Sequence, residues 1–134
     1  MIKLPKGLYM KILNYAKSAL PEEACGLLGG EIRGEEKTVK SIYFLENTDH
    51  SCAHFSVNSA EQFNAVRSMR SSGTIPLGNF HSHPDAPPLP SNEDKLYADD
   101  CNASYLILSL INEPCLKSFH IADGTLIEEE LIIE

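Results

Sequence analysis

Apolar residues recur at helical spacing in three stretches of the chain. The first predicted helix runs from Pro5, a residue suited to a first turn, to Ala19. The second runs from Ser59 to Ser71, with Asn58 or Ser59 as its cap, and a short third helix is predicted from Ser91 to Cys101. The side chains expected to face the core are Leu8, Ile12, Tyr15 and Ala19 in the first helix and Phe63, Val66 and Met69 in the second.

Shorter and more continuous apolar runs predict strands between these helices. The runs are Cys25–Ile32, Val39–Leu45, Ile75–Ser82 and Ser104–Ile111, with Ala53–Val57 as a further candidate. Leu116–Ala122 and Leu126–Ile133 are expected to form a hairpin through Asp123-Gly124. Because Ser104–Ile111 is strongly apolar, we expect it in the centre of a sheet. The mixture of elements predicts an α/β or α+β fold, a mixed β-sheet flanked by helices.

Length and composition are those of one globular domain, predicted to span residues 1–134. The chain has 134 residues, of which 43% are hydrophobic and 22% charged, so a core can form without covalent cross-links. No apolar run approaches the roughly 18 residues of a membrane helix. The first residues carry lysines but no apolar region typical of a signal peptide. We therefore expect a cytoplasmic protein.

Charge and cysteine content exclude several classes of partner and site. The net charge is −8 and the pI is about 5.0, which argues against binding to nucleic acid or to an anionic membrane surface. The four cysteines are widely spaced and form no C-x-x-C pair, so neither a zinc ribbon nor a disulfide framework is expected. They are Cys25, Cys52, Cys101 and Cys115.

Candidate chemistry is concentrated where one predicted strand ends. His81 and His83 are two residues apart, so on an extended segment both imidazoles point to the same side. Four prolines between residues 84 and 90 then predict a stiff loop that brings the chain back toward Asp94. Two histidines and one carboxylate match a catalytic zinc site with its fourth position open to water. Ser91-x-x-Asp94 also fits a helix cap, and spacing alone does not decide between these interpretations.

A hydrolytic site also needs a general base, and two glutamates precede the first predicted strand. Glu22 and Glu23 lie just before Ala24-Cys25-Gly26-Leu27-Leu28-Gly29-Gly30. On position alone they are better explained as solvated charges at an element boundary.

Taken together, these segments resemble the signature of the JAMM (MPN-plus) metallopeptidases. The matching residues are His81-x-His83-Pro84, six further residues, Ser91-x-x-Asp94, and the upstream Glu23-x-Cys25-Gly26-Leu27-Leu28-x-Gly30. The resemblance implies an MPN/JAMM-like fold with cytidine-deaminase-like layering. It implies that His81, His83 and Asp94 bind one Zn²⁺, and that Glu23 rather than Glu22 is the general base. It also implies that Ser91 stabilises the tetrahedral intermediate, whereas Cys25 contributes to packing.

The resemblance further implies a class of substrate. The chain is similar to the compact prokaryotic branch, whose members act on ubiquitin-like sulfur-carrier proteins and cut after a C-terminal Gly-Gly. Asp94 is followed by only a short predicted helix before Ser104, which leaves no room for the insertions found in relatives that cut ubiquitin chains. Segment 52–58 is a candidate edge for strand addition by such a tail, and residues 85–89 are a candidate wall of the cleft.

Alternatives to the peptidase hypothesis are a non-catalytic MPN scaffold and a RadC-type metal domain. A scaffold typically lacks metal ligands, whereas all of them are present here. A RadC-type protein usually carries an additional DNA-binding part, which this acidic chain lacks. His50 and His54 could suggest a second metal site, but ordinary surface histidines explain them better.

Overall fold

The computed structural model describes all residues 1–134 as three helices and eight strands. The helices are α1 (Lys6–Ala19), α2 (Ser59–Ser71) and α3 (Asn92–Tyr97). The strands are β1 (Ile2–Leu4), β2 (Cys25–Arg33), β3 (Glu36–Leu45), β4 (Ile75–His83), β5 (Ser104–Ser109), β6 (Cys115–Ala122), β7 (Thr125–Glu129) and β8 (Leu131–Ile133). None of the helices is long and apolar enough to cross a bilayer.

All eight strands belong to one mixed sheet, in the order β7-β6-β5-β4-β2-β3-β1-β8. The pairs β4–β5, β1–β3 and β1–β8 are parallel, and the others are antiparallel. Only Glu130 separates β7 from β8, although these strands occupy opposite ends of the order. One residue spans less than about 4 Å. The sheet must therefore curl until its two edges come close together.

The curled sheet packs one face against α1. Ile12, Leu13 and Ala16 of α1 are buried, and they join a core cluster that includes Leu28, Phe80 and nearby side chains of five strands. Gly26 allows the close packing of β2 and β4, because a Cβ atom there would lie 2.3 Å from the Phe80 ring. The core thus fixes β4, the strand that carries both histidines.

The predicted fold class is confirmed, as is the central position of the strongly apolar strand. β5 lies between β4 and β6, and five of its six residues are buried. Asn58, one of the two candidate caps, begins α2 by accepting hydrogen bonds from the backbone N–H groups of Ala60 and Glu61. The third helix ends at Tyr97, earlier than predicted.

Three expectations about individual elements were wrong. Segment Ala53–Val57 is irregular and pairs with no strand. The Asn47 side chain instead binds the His54 carbonyl and the Ser56 N–H group. Phe63 is 63% exposed, because α2 buries only Ala65 and Met69. The second strand of the hairpin ends at Glu129, and the following residues cross to pair with β1. β1 itself, with only three residues, had not been anticipated.

Candidate active site

The predicted metal ligands converge at the carboxyl end of β4. His81 and His83 are 4% and 5% exposed, and their Nε2 atoms lie 3.1 Å apart. Asp94, in the first turn of α3, places Oδ2 3.2 Å from His81 Nε2 and 3.1 Å from His83 Nε2. The strand end and the start of the helix therefore bring three ligand atoms to one point.

Ser91 begins α3 and also orients Asp94. Its hydroxyl oxygen accepts a hydrogen bond of 3.0 Å from the Asp94 N–H, and Asp94 Oδ2 accepts one of 2.9 Å from the Ser91 N–H. This is a capping box. Capping uses only the acceptor capacity of the hydroxyl, so its hydrogen remains free to donate. The capping and catalytic interpretations of Ser91 are thus compatible.

The geometry of the three ligand atoms fits a zinc ion. Ligand bonds of about 2.0–2.2 Å in a tetrahedral site place neighbouring ligand atoms roughly 3.3–3.6 Å apart, a few tenths of an ångström wider than here. The three separations here are 3.1–3.2 Å. Atoms with lone pairs lie this close only with a cation or a proton between them. Burial alone would raise the pKa of Asp94, but hydrogen bonds from His81 and His83 outweigh it and hold that pKa far below its ordinary range.

The two imidazoles are held in different ways. His83 Nδ1 donates to the Pro87 carbonyl at 2.8 Å, which leaves Nε2 free to bind a metal. Ser109 Oγ donates to the neighbouring Ala86 carbonyl at 2.6 Å and so holds the proline-rich loop in place. His81 Nδ1 is buried without a hydrogen-bond partner in the protein. Instead the Phe55 ring stacks on His81, with ring centroids 5.0 Å apart.

Glu23 and Glu22 lie in contrasting surroundings. Glu23 is 4% exposed, and its Oε1 has no hydrogen-bond partner in the protein. Burial raises the pKa of Glu23 to about 8, with the His83 charge opposing the shift and Asp94 adding to it. Glu22 is partly exposed and pairs with His50 at 3.1 Å. Only Glu23 therefore has the surroundings of a functional carboxylate.

Ser82, the residue between the two histidines, fixes Glu23 relative to them. Its side chain points away from the imidazoles, is fully buried, and accepts a hydrogen bond of 2.8 Å from the Ala24 N–H. The Ser82 N–H in turn donates to the Ala24 carbonyl at 2.9 Å. Two hydrogen bonds thus join Ala24, the residue next to Glu23, to Ser82, the residue between the histidines.

Cys25 has the surroundings of a packing residue. It is 1% exposed, and its thiol donates weakly to the Leu45 carbonyl at 3.6 Å. Burial raises the pKa of this thiol to about 12, so the nucleophilic thiolate is scarcely populated at neutral pH. All four cysteines are free, as predicted.

A groove of about 400 Å³ leads away from His81 and Asp94 across the outer face of the sheet. Its floor contains Leu27, Asn79, Tyr105 and Ile107, and its two walls are segment 54–57 and part of α3. The His54 carbonyl and both backbone groups of Ser56 bond inward to Asn47 and Thr48, whereas the backbone groups of Phe55 and Val57 make no hydrogen bond within the protein. An irregular segment with free backbone groups at Phe55 and Val57 therefore borders the groove.

The second-site idea for His50 and His54 finds no support in the geometry. His50 pairs with Glu22 and Glu46 through its two opposite nitrogens, and His54 pairs separately with Asp49. The one group of three or more side chains arranged to hold a metal ion is His81, His83 and Asp94.

Comparison with known proteins agrees with this arrangement. The family model described as prokaryotic homologs of the JAB domain matches residues 5–122. The chain belongs to this JAB/JAMM family. A CysO-cysteine peptidase of Mycobacterium tuberculosis is 30% identical over 121 residues, covering 88% of this chain and 81% of the relative.

Two solved structures resemble the whole chain. Protein DSY2949 of Desulfitobacterium hafniense is 48% identical with a TM-score of 0.91, covering 100% of this chain and 93% of that one. A JAB1/MPN domain protein of Archaeoglobus fulgidus, AF2198, is 25% identical with a TM-score of 0.66, covering 99% and 97%. The resemblance to JAMM proteins inferred from the sequence is therefore confirmed, and so is the implied fold.

Sequence reasoning missed three residues that organise the site: Asn47, Phe55 and Ser82. Ser82 could have been suspected, since a serine inside an otherwise buried strand end requires a hydrogen-bond partner. Asn47 and Phe55 lie in a loop without periodicity, and no pattern there indicates which side chains turn inward.

Proposed function

We propose that the protein is a zinc-dependent peptidase or isopeptidase that hydrolyses the amide bond after the C-terminal Gly-Gly of a ubiquitin-like or sulfur-carrier protein. The observation that carries the proposal is the buried Glu23 carboxylate, without a protein partner, beside three convergent ligand atoms. A buried carboxylate in this condition costs stability, so its presence calls for a chemical role.

His81, His83 and Asp94 would hold the zinc ion. When bound, zinc acidifies a coordinated water and polarises the scissile carbonyl. Glu23 then accepts the proton of the attacking water and returns it to the leaving amine. In the metal-free protein burial raises the pKa of Glu23 to about 8, whereas a bound cation would lower it again. A proton carrier works best when its pKa lies near the working pH.

Ser91 would donate its free hydroxyl hydrogen to the developing oxyanion. Its oxygen is already fixed by the capping bond to Asp94, so the donor is oriented before substrate arrives. One such preorganised donor is typically worth roughly 3–4 kcal/mol of transition-state stabilisation.

The groove suits a narrow and extended peptide tail. The free backbone groups of Phe55 and Val57 can pair with such a tail by strand addition. A Gly-Gly terminus has no side chains to collide with the two walls. The similarity to a CysO-cysteine peptidase supports a substrate in which cysteine or a short extension follows the carrier's last glycine.

The proposal is tested with small carrier proteins that bear a C-terminal extension after Gly-Gly, and with mass spectrometry of the products. The zinc-loaded parent should release the extension, whereas Glu23→Gln should keep zinc and lose hydrolysis. Glu22→Gln is the matched control, since Glu22 is adjacent but exposed, and it should remain active. Activity of Glu23→Gln equal to the parent's would exclude Glu23 as the base. A folded parent that takes up no zinc would favour the scaffold alternative.

A further inference from the structure

The connection between β3 and α2 is long and irregular, yet a single buried side chain organises it. Residues 46–58, here called the site loop, contain no helix or strand. Loops of this length without secondary structure are uncommon and usually functional. Asn47, at the start of the loop, is only 6% exposed.

The Asn47 amide bonds to backbone groups of the site loop and to the backbone of Glu23. Its Oδ1 accepts hydrogen bonds from the N–H groups of Asp49 and Ser56 at 3.1 and 3.3 Å. Its Nδ2 lies 3.1–3.3 Å from three carbonyl oxygens, and these belong to Glu23, Ser51 and His54. Because N–H groups surround Oδ1 and carbonyl oxygens surround Nδ2, the orientation of the amide is fixed.

Glu23 depends on this loop for its position. Because its Oε1 has no partner in the protein, no hydrogen bond at that atom helps to fix the carboxylate. The backbone of Glu23 is held by the site loop on both sides: its N–H donates to the Ser51 carbonyl at 2.8 Å, and its carbonyl accepts from Asn47 at 3.1 Å. The loop therefore sets where the carboxylate is presented.

The same loop reaches the metal ligands and the groove. Phe55 stacks on His81, the imidazole that lacks a hydrogen-bonded partner at Nδ1. Segment 54–57 also forms one wall of the groove. One asparagine thus connects the backbone of the base, the contact on a metal ligand and a wall of the groove.

We infer that Asn47 is a positioning residue of the active site, which holds Glu23 and the site loop in their working arrangement. The inference rests on the proposed function. A misplacement of about 1 Å at a catalytic group can cost roughly 100-fold in rate. Loss of the Asn47 amide should therefore lower kcat rather than remove the metal.

Two variants separate the parts of this role. Asn47→Asp is nearly isosteric and keeps the acceptor, but an ionised carboxylate cannot donate to the Glu23 carbonyl. Asn47→Ala removes both functions. Ser118→Ala is the matched control, because it removes one buried hydrogen bond, Ser118 Oγ to Glu129 at 2.7 Å, away from the site.

With the zinc-loaded proteins and a carrier extended after Gly-Gly, both Asn47 variants should retain one zinc per chain. Their kcat should fall roughly 10–100-fold with a smaller change in KM, whereas Ser118→Ala keeps the parent's kcat. Asn47 variants with the kcat of Ser118→Ala would overturn the inference. So would failure of both to fold under conditions in which Ser118→Ala is folded, since Asn47 would then support the whole fold.

Amide hydrogen exchange tests the inference even if the parent cleaves no such carrier. The Glu23 amide should exchange faster in both Asn47 variants than in Ser118→Ala, because its bond to Ser51 depends on the ordered loop. Equal exchange at Glu23 in all three proteins would overturn the positioning role. Faster exchange with an inactive parent would leave the positioning role standing and refute the proposed reaction.

Discussion

Buried and half-buried polar side chains lie near both ends of the parallel strands β4 and β5, some on these strands and others on neighbouring elements. The two ends differ in how those side chains are partnered. Near the amino ends, Lys37 Nζ donates to the Asn102 carbonyl at 2.7 Å and to Ser104 Oγ at 2.9 Å. Ser118 Oγ donates to Glu129 at 2.7 Å. We call Lys37, Ser104, Ser118 and Glu129 the lysine cluster.

At the carboxyl ends the polar groups are incompletely partnered. Three buried side-chain nitrogen or oxygen atoms in the protein have no hydrogen-bond partner, and two of them are Glu23 Oε1 and His81 Nδ1. The lysine cluster contributes none. An unpartnered buried polar atom costs about 1–3 kcal/mol, so the site reduces stability, whereas the lysine cluster preserves it.

This contrast teaches that burial of a polar group does not by itself mark function. Lys37 and Asp94 are both charged and half-buried. The Lys37 ammonium, however, donates hydrogen bonds to a carbonyl and a hydroxyl oxygen. At the site the three candidate ligand atoms face one another, and the Glu23 carboxylate is buried without a hydrogen-bond partner at Oε1. Substitutions should therefore separate the two regions: those at the site should remove activity, and those in the lysine cluster should remove stability.

The largest effect is expected from His83→Ala. Removing one of three protein ligands leaves a pair that binds zinc poorly, so both zinc content and hydrolysis should fall below detection. Metal analysis after dialysis and the extension-release assay measure the two quantities. His120→Ala, a histidine of β6 outside the site, serves as the control and should keep both. Retention of one zinc per chain by His83→Ala would break the assignment of the metal centre.

An intermediate effect is expected from Lys37→Met. The change leaves the Asn102 carbonyl and Ser104 hydroxyl without their donor, and it should lower the free energy of unfolding by about 1–3 kcal/mol. Zinc content and kcat should not change. Urea unfolding measures the loss, and Lys40→Met on the same strand is the control, because Lys40 is exposed and should change stability by less than about 0.5 kcal/mol. A loss of kcat in Lys37→Met would show that the two ends are not independent.

The sequence predicted the site better than it predicted the surroundings of the site. Period-two spacing and a proline-rich return indicated that His81, His83 and Asp94 could come together, but only the resemblance favoured a metal site over a helix cap. Glu23 could be chosen over Glu22 only through the resemblance, since the burial that distinguishes them depends on the site loop folding over one of them.

Two features of the fold were not predictable for a different reason. The exposure of Phe63 and the crossing after Glu129 depend on contacts between distant parts of the chain. In α2, only Ala65 and Met69, four residues apart, are buried. Phe63 therefore stays exposed, and the Arg67 guanidinium carbon lies 5.9 Å from the centre of its ring. Helical spacing identifies the apolar residues but does not determine which of them the sheet covers.

The most gradual effect is expected in the metal-free protein and concerns the cost of keeping Glu23 buried. Its pKa is raised to about 8 in the folded state, from about 4.3 in an unfolded chain. Its contribution to stability is therefore fully present below about pH 4 and is lost as the pH rises toward 8. Glu23→Gln does not titrate and lacks this loss.

In urea unfolding after chelation, the stability of the parent relative to Glu23→Gln should decrease between pH 5 and pH 8, by no more than about 1.4 kcal/mol per pH unit. Glu22→Gln retains the buried Glu23 and should therefore show the same decrease as the parent. If the difference in free energy of unfolding between parent and Glu23→Gln stayed constant with pH, Glu23 would already be ionised in the folded protein. The contrast between the unpartnered site and the fully partnered lysine cluster would then rest on the metal ligands alone.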